Sequence, residues 1–257
     1  MVARIIDINE KNILKYGLFC KKSQKKQEGY QNKILWIKER FKEGLKYKLL
    51  LVEERGKETS RGFIEYIPAE FNWRGIHADG WMAIHCLWVV GKHKNKGYAS
   101  RLLEECVNDT KNANMHGIVA MSAEKGGWLP NRKIFLKNGF EKVDEVKPYY
   151  ELYAKFFSKG DNTPKFYPLS QEKRDREGLT IFYTEQCPYL PDIVKDLEKI
   201  VTAEHIKFNS VLIKNYIGAQ QNGIHPYGTF CIVYNGDVIP YKPGIKSEII
   251  ELLHQKD

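Results

Sequence analysis

Short segments of alternating or consecutive apolar residues follow one another from the start of the chain to about residue 157. Period-two alternation and short β-branched or aromatic runs are typical of strands, whereas apolar residues three or four apart are typical of helices. The predicted strands are ARIIDIN, KYKLLLVEE, RGFIEYIPAE, MAIHCLWVV, HGIVAMSA, FEKVDEVKP and YYELYAKFF. Helices are predicted in the region that includes QNKILWIKERFKEG, after the strand at 82–90, and over LPNRKIFLKNG. The order βααβββαβαββ predicts a mixed α/β domain over residues 1–157.

A change in pattern separates this part from the rest of the chain. Residues 158–178, SKGDNTPKFYPLSQEKRDREG, are rich in Gly, Pro, Ser and charge, which is typical of a linker. A strand at LTIFY and an amphipathic helix follow, and then come a strand at FNSVLIKNY, a hairpin at GTFCIVYNGDVIPYKPG and a helix at IKSEIIELLHQ. The sequence therefore predicts a second, smaller α/β domain over residues 179–257.

Composition and charge restrict the classes of function. The chain has 257 residues, 42% of them hydrophobic, which is enough for one large core or two ordinary ones. Its net charge of +9 is uneven, because residues 1–160 hold 30 Lys+Arg against 19 Asp+Glu while residues 161–257 hold 11 against 13. A basic half attracts polyanions, but neither a zinc-finger spacing nor a recognition helix is recognisable, so no nucleic-acid partner is expected.

Two further features concern the compartment. We find no apolar run of about 18 residues and no secretion leader, so neither a membrane partner nor export is expected and a cytoplasmic protein is predicted. The five cysteines are odd in number and widely spaced, which predicts reduced thiols and no metal site.

The stretch VGKHKNKGYASRLLEECV, 90–107, carries the first candidate chemistry. A strand that enters a glycine-containing turn and then a helix exposes backbone N–H groups at the positive end of the helix dipole, where phosphate binds. Gly97 lets the backbone approach a ligand, while Lys94 and Lys96 add charge. The pattern is neither GxGxxG nor GxxxxGK[ST], which disfavours a Rossmann site and a P-loop.

This stretch resembles the acyl-CoA loop of the GNAT superfamily of N-acyltransferases, [Q/R]xxGxG/A, with Lys94 at the position of Gln or Arg. NRKIFLKNGFEKV, 131–143, resembles the later motif of the same family. The resemblance implies a GNAT fold over residues 1–157 and acetyl-CoA as co-substrate. The acyl-CoA-binding residues that it implies are Leu87, Trp88, Val89, Lys94, Asn95, Lys96, Gly97, Tyr98, Ala99, Asn131 and Phe135.

The acid and the base of the reaction are less well defined. Many relatives have a Tyr where this chain has Phe135, so either solvent or one of Tyr149, Tyr150 and Tyr153 is expected to protonate the leaving thiolate. For the proton of the amine the candidates are His85 on the strand before the loop, Glu124 after the next strand, Glu65 and water. A core histidine and plain surface carboxylates are the competing interpretations.

The second domain begins with a strand, a loop containing Cys187 and an amphipathic helix, and CPYL resembles the CPYC site of glutaredoxins with Leu190 in place of the second Cys. The resemblance implies a thioredoxin-like domain, although Gly228 stands where its cis-proline is expected. A cysteine at a helix N-terminus has a lowered pKa and is nucleophilic. Thiol chemistry at Cys187 and a domain kept for binding substrate are both left open.

The combined pattern resembles the YoaP-type bacterial acetyltransferases and predicts an acetyl-CoA-dependent N-acetyltransferase of α/β class. Its expected partner is a small-molecule or peptide amine, and a homodimer is left open. The competing hypotheses are a non-catalytic acyl-CoA binder and a monothiol oxidoreductase that acts through Cys187.

Overall fold

The structure is a computed structural model that describes residues 3–94, 96–123, 128–147, 149–158, 162–169, 177–221, 225–239, 249 and 251. The first part contains β1 (Ala3–Ile8), α1 (Ile13–Tyr16), α2 (Glu28–Phe41), β2 (Lys46–Glu54), β3 (Lys57–Pro68), β4 (Ile76–His77), β5 (Met82–Val89), α3 (Tyr98–Asn112), β6 (Gly117–Ala123), α4 (Arg132–Lys137), β7 (Glu141–Val146) and β8 (Tyr150–Phe156). Apart from the two-residue β4, this is the order that the sequence predicts.

Seven of these strands form one mixed sheet in the order β1-β2-β3-β5-β6-β8-β7. Helices cover both faces of this sheet, and successive side chains of a strand point to opposite faces. Leu49 of β2 packs with Ile34 of α2 on one face, and its neighbour Leu50 packs with Leu102 of α3 on the other. The mixed α/β class predicted from the sequence is confirmed.

The centre of the sheet opens where two parallel strands separate. Only Met82–Ile84 of β5 pair with β6, where their partners are Ile118–Ala120. β5 continues for five more residues without a β6 partner. On its other side β5 carries one extra residue, His85, because Glu65 of β3 pairs with Cys86 and Tyr66 pairs with Ile84. This bulge bends the strand at the point where the gap begins.

The segment predicted as a linker also contributes to the first part. β9 (Lys165–Phe166) pairs antiparallel with β4, and Phe166 is buried in an apolar cluster with Ile76 and Trp81. The aromatic side chain anchors this part of the segment to the larger sheet, which its polar composition does not indicate.

A second sheet, of order β11-β10-β12-β13, lies in the C-terminal unit, by which we mean the described residues from 177 to 239. β10 and β11 are parallel, whereas β12 is antiparallel to both β10 and β13. The elements of this unit are β10 (Leu179–Tyr183), α5 (Leu190–Ala203), β11 (Phe208–Leu212), α6 (Tyr216–Gln221), β12 (Phe230–Tyr234) and β13 (Asp237–Ile239). The predicted last helix lies outside the described residues except for Ile249 and Glu251.

The C-terminal unit packs closely against the larger sheet. Nη1 of Arg74 donates hydrogen bonds to the carbonyl oxygen of Tyr227 at 2.9 Å and to Oγ1 of Thr229 at 2.7 Å. Gly29 of α2 lies against the carbonyl of Pro188, where a Cβ atom would overlap the oxygen. No helix of the described residues is long and apolar enough to cross a membrane.

Candidate active site

A groove of about 600 Å³ lies between the end of β5, the start of α3 and the start of α4. Its walls include most of the residues that the sequence implies for acyl-CoA binding, namely Leu87, Trp88, Val89, Lys94, Gly97, Tyr98, Ala99 and Asn131. Asn95 lies outside the described residues, and the exposed Lys96 is not part of the lining. The groove is the continuation of the gap between β5 and β6.

The turn before α3 has the geometry of an anion site. Gly97 is the N-cap of α3 and has φ +77°, a left-handed conformation that favours glycine. Because the first N–H groups of a helix have no intrahelical acceptor and Gly97 has no capping side chain, the first amides of α3 are available to a ligand. Space above Gly97 is open, since a Cβ atom there would meet nothing within 4 Å.

The charge of the groove matches an anionic ligand. Among its described lining residues, the side chains that carry a permanent charge are Lys94, Lys133 and Lys137. Nζ of Lys94 lies 5.8 Å from the centre of the Trp88 ring, whose residue is 38% exposed. His93 and Ser100 also line the groove, although no sequence motif marked them.

The start of α4 forms part of the groove lining, but Phe135 does not. Oδ1 of Asn131 accepts a hydrogen bond of 2.9 Å from the N–H of Lys133, which caps α4. Phe135 is fully buried against Phe140 and Tyr153, so its predicted place in the groove lining is wrong, and Ile134 on the adjacent side of the helix is there instead.

None of the three tyrosines proposed as replacement acids lines the groove. The hydroxyl of Tyr153 donates a hydrogen bond of 2.9 Å to Oε2 of Glu151. Tyr149 and Tyr150 pack against each other in the cluster on the opposite face of the sheet from α3. Glu124, the carboxylate candidate after β6, lies outside the described residues.

A second, smaller cavity of about 40 Å³ lies between the larger sheet and the C-terminal unit. The larger sheet and its helices contribute Lys33, Glu65, Arg74 and Cys86, among others, and the C-terminal unit contributes Gln186, Cys187, Pro188 and Tyr227. Two units of the chain therefore form one cavity beside β5.

A buried carboxylate is the centre of this cavity's polar side. Glu65, 1% exposed, accepts hydrogen bonds from Nζ of Lys33 at 2.6 Å and from Nε2 of Gln186 at 2.9 Å. Burial alone would raise the pKa of its carboxyl group, but the charge of Lys33 and the hydrogen bonds from His85 and Gln186 outweigh burial and lower the pKa to about 2. Glu65 is therefore ionised, and Lys33 is its counter-ion.

Both ring nitrogens of His85 are already engaged. The N–H of Trp73 donates to Nε2 at 3.0 Å, so the ring proton lies on Nδ1, which faces Oε1 of Glu65 at 3.3 Å. Burial lowers the pKa of His85 to about 4 despite the nearby carboxylate. The predicted role of His85 as the base is not supported, because a neutral ring with both nitrogens bonded has no lone pair free for a substrate proton.

The pKa of Cys187 is raised, whereas its position before a helix predicts a lowered pKa. Burial raises the pKa of its thiol to about 11, and a hydrogen bond from the N–H of Tyr189 offsets only part of the rise. The thiol precedes α5 but lies in the cavity with Cys20 and Cys86, so loss of solvent outweighs the effect of the helix terminus. Among the residues that the structure describes, no group of three or more His, Cys, Asp or Glu side chains is placed to hold a metal ion.

The chain is similar to known proteins. The profile of the Acetyltransferase (GNAT) family matches residues 17–140. A curated relative, the "Uncharacterized N-acetyltransferase YoaP" of Bacillus subtilis (strain 168), is 34% identical over 242 residues, which are 92% of this chain and 93% of that protein.

Solved structures are more distant in sequence. A GNAT-family acetyltransferase from Staphylococcus aureus Mu50 aligns with a TM-score of 0.42 and 14% identity, over 61% of this chain and all of that one. The PaiA N-acetyltransferase of Thermoplasma acidophilum, solved in complex with coenzyme A, aligns with a TM-score of 0.42 and 15% identity over the same shares.

Proposed function

Since the chain belongs to the GNAT acetyltransferase family and is an acetyl-CoA-dependent N-acetyltransferase, we propose that it transfers the acetyl group directly to a primary amine while both substrates are bound. The observation that carries this proposal is the basic groove at the start of α3, which opens into the gap between β5 and β6. The acceptor is a small molecule or a peptide.

Acetyl-CoA is proposed to lie along this groove. The free amides at the start of α3 would hold the pyrophosphate, and Lys94, Lys133 and Lys137 would balance its charge. The backbone of Leu87 to Val89 has no β6 partner and would bond the amides of the pantetheine as an added strand does. The thioester would then point into the gap.

The chemical step needs few protein groups. Because Tyr149, Tyr150 and Tyr153 all lie outside the groove lining, we propose that solvent protonates the leaving thiolate, whose conjugate thiol has a pKa near 8.5. The amine loses its proton to water or to Glu124, which follows β6. His85 is proposed as a positioning residue, because its ring links the bulge of β5 to Glu65.

We also propose that the two units are two domains, with boundaries near residues 157 and 179. A thioredoxin-like fold for the C-terminal unit is supported by its sheet order and by the place of Cys187 just before α5. Leu190 is buried in the core of that unit, where it packs rather than resolves a disulfide. The raised pKa of Cys187 favours a wall of the substrate site over thiol chemistry.

The test is a calorimetric titration with acetyl-CoA followed by a turnover assay against a panel of primary amines, with products identified by mass spectrometry. Saturable binding and an N-acetylated product are expected. Binding without turnover of any amine would favour the non-catalytic acyl-CoA binder. A folded protein that does not bind acetyl-CoA would contradict the proposal.

A further inference from the structure

We propose that the acetyl acceptor is an amino acid or a similar small amino-carboxylate, and that its carboxylate group is held by Arg74 in the cavity between the two units. This inference rests on the proposed function, because it assigns the acceptor end of the same site. Four features of the cavity support it: its charge, an unpaired donor, its size and its position.

The first feature is the balance of charge. Among the described residues that line the cavity, the charged ones are Lys33, Arg74 and the ionised Glu65, which together give a net charge of +1. The three thiols of the lining are neutral, since burial raises the pKa of each. An anion buried here meets opposite charge, whereas an ammonium group would add a third cation to a site with one carboxylate.

The second feature is an unused hydrogen-bond donor. Arg74 is 2% exposed, and its Nη1 and Nη2 groups donate to Tyr227, Thr229 and the carbonyl oxygen of His85. Its Nε–H is buried and has no acceptor among the residues that the structure describes. A buried unpaired donor costs about 1–3 kcal/mol. Because Nε is buried, a ligand oxygen would reach it only by displacing part of the lining. That bond would remove the cost, and a carboxylate oxygen makes the stronger bond to guanidinium.

The third feature is size. A cavity needs about 10–15 Å³ of this kind of volume to hold one water molecule. The observed 40 Å³ therefore has room for about three non-hydrogen atoms, which is the size of a carboxylate group.

The fourth feature is position. Cys86 lines the cavity and the next residue, Leu87, lines the acyl-CoA groove, so the two spaces lie on opposite faces of the sheet at the gap where β5 has no β6 partner. On the other side of the gap, Trp128 lines the cavity and Leu129 lines the groove. An amine a few bonds away from a carboxylate in the cavity can therefore reach the gap in which the thioester is proposed to lie.

The experiment compares amino acids with their carboxamides as acceptors, for example leucine with leucinamide and β-alanine with β-alaninamide. Each pair has the same shape, and the amide has the larger fraction of free amine at pH 8, so intrinsic reactivity favours the amide. We expect kcat/KM to be at least tenfold higher for the acid. Equal or faster turnover of the amide would overturn the inference and leave the transferase proposal intact.

Acetyl-CoA binding without acetylation of any member of a pair would overturn the inference. The proposed transfer to a different amine would still stand. If acetyl-CoA does not bind either, the proposed function fails with it. The two failures are therefore distinguishable.

Two variants complete the test. Arg74→Gln should abolish the preference for the acid, but this change also removes bonds between the units and can impair folding. Cys187→Phe places a ring in the cavity and removes none of the groups that accept hydrogen bonds from Arg74, so it should raise the KM for the acid at least tenfold while the Kd for acetyl-CoA is unchanged. An unaltered KM in folded Cys187→Phe would overturn the inference.

Discussion

Gln186, in the loop before α5, donates a hydrogen bond of 2.9 Å to the carboxylate of Glu65 in the third strand of the larger sheet. The two residues are 121 positions apart in the chain, and both are buried. Glu65 is thereby bonded to α2 through Lys33, to β5 through His85 and to the C-terminal unit through Gln186. A single carboxylate links three parts of the molecule.

Glu65→Gln should reduce the free energy of unfolding by about 3–5 kcal/mol, because it leaves the buried ammonium of Lys33 without a counter-ion. Chemical denaturation at pH 7 measures the change. The matched control is Glu58→Gln, which breaks the exposed ion pair with Arg4 and should leave the free energy of unfolding almost unchanged. A similar cost for both variants would show that burial does not govern the strength of the Glu65 pair.

Stability should fall as the pH is lowered from about 6.5 to about 4, and His85 should be the cause. Burial lowers the pKa of His85 in the folded protein to about 4, so over this range the unfolded chain binds a proton that the folded chain does not. The stabilising contribution of Glu65 is complete above pH 4.5, the ordinary pKa of a Glu carboxyl, and is lost only as the pH falls from there through its lowered pKa of about 2.

Denaturation curves at pH 7, 5.5 and 4 test this prediction. His85→Gln should remove most of the loss of stability between pH 7 and 4, whereas His205→Gln, at an exposed position, should leave the loss unchanged. The same loss in His85→Gln would assign the pH dependence to other groups.

Gly97→Glu should weaken acetyl-CoA binding at least tenfold, because a carboxylate would stand in the open space above the turn and repel the phosphates. Calorimetric titration measures the change. Gly56→Glu is the matched control: Gly56 has φ +72° and equally open surroundings, but it lies in the turn between β2 and β3. Equal loss of affinity in both variants would indicate a general effect of strain at a left-handed residue.

Cys187 should react slowly with iodoacetamide at neutral pH, with a midpoint near pH 11, because burial disfavours the thiolate. The rate is obtained by mass spectrometry of the peptide that contains Cys187, and Cys187→Ser gives the background from the other cysteines. A midpoint below about 8.5 would contradict the burial argument and would favour the monothiol oxidoreductase.

Gly29→Ala should lower the melting temperature, although alanine stabilises the interior of most helices by up to about 1 kcal/mol relative to glycine. The reason is the carbonyl oxygen of Pro188, which a Cβ atom at Gly29 would overlap. Leu35→Ala, at an exposed position of the same helix, should have little effect. A stabilised Gly29→Ala variant would show that the C-terminal unit is not closely packed on α2.

Sequence patterns are sufficient for local structure. The six-residue buried run within KYKLLLVEE corresponds to β2, and Gly97 adopts the left-handed conformation that a glycine turn suggests. The alternation of β3 also puts Glu65 on the same face as Phe63 and Ile67, so the pattern of that strand by itself indicates an inward-facing carboxylate. Periodicity of two and of 3.6 carries this information directly.

Properties that depend on distant parts of the chain do not follow from local patterns. The motif predicts Phe135 in the groove, but the six-residue α4 turns that side chain into the core. The pKa of Cys187 depends on burial by residues far away in sequence, and the cavity needs Lys33 and Arg74 as well as Gln186. No local pattern determines which side chains meet across two units.

The bonds of Arg74 to Tyr227 and Thr229 have a consequence for modularity. A protein shortened to the larger sheet would keep the guanidinium in place but remove both acceptors of Nη1, and the wall of the cavity would become solvent. Transplanting that part onto a different C-terminal partner would require matching acceptors at the same two points. The acetyl-CoA groove is independent of this interface. A recombined chain would therefore keep the acetyl-CoA groove and lose the selectivity for the acceptor.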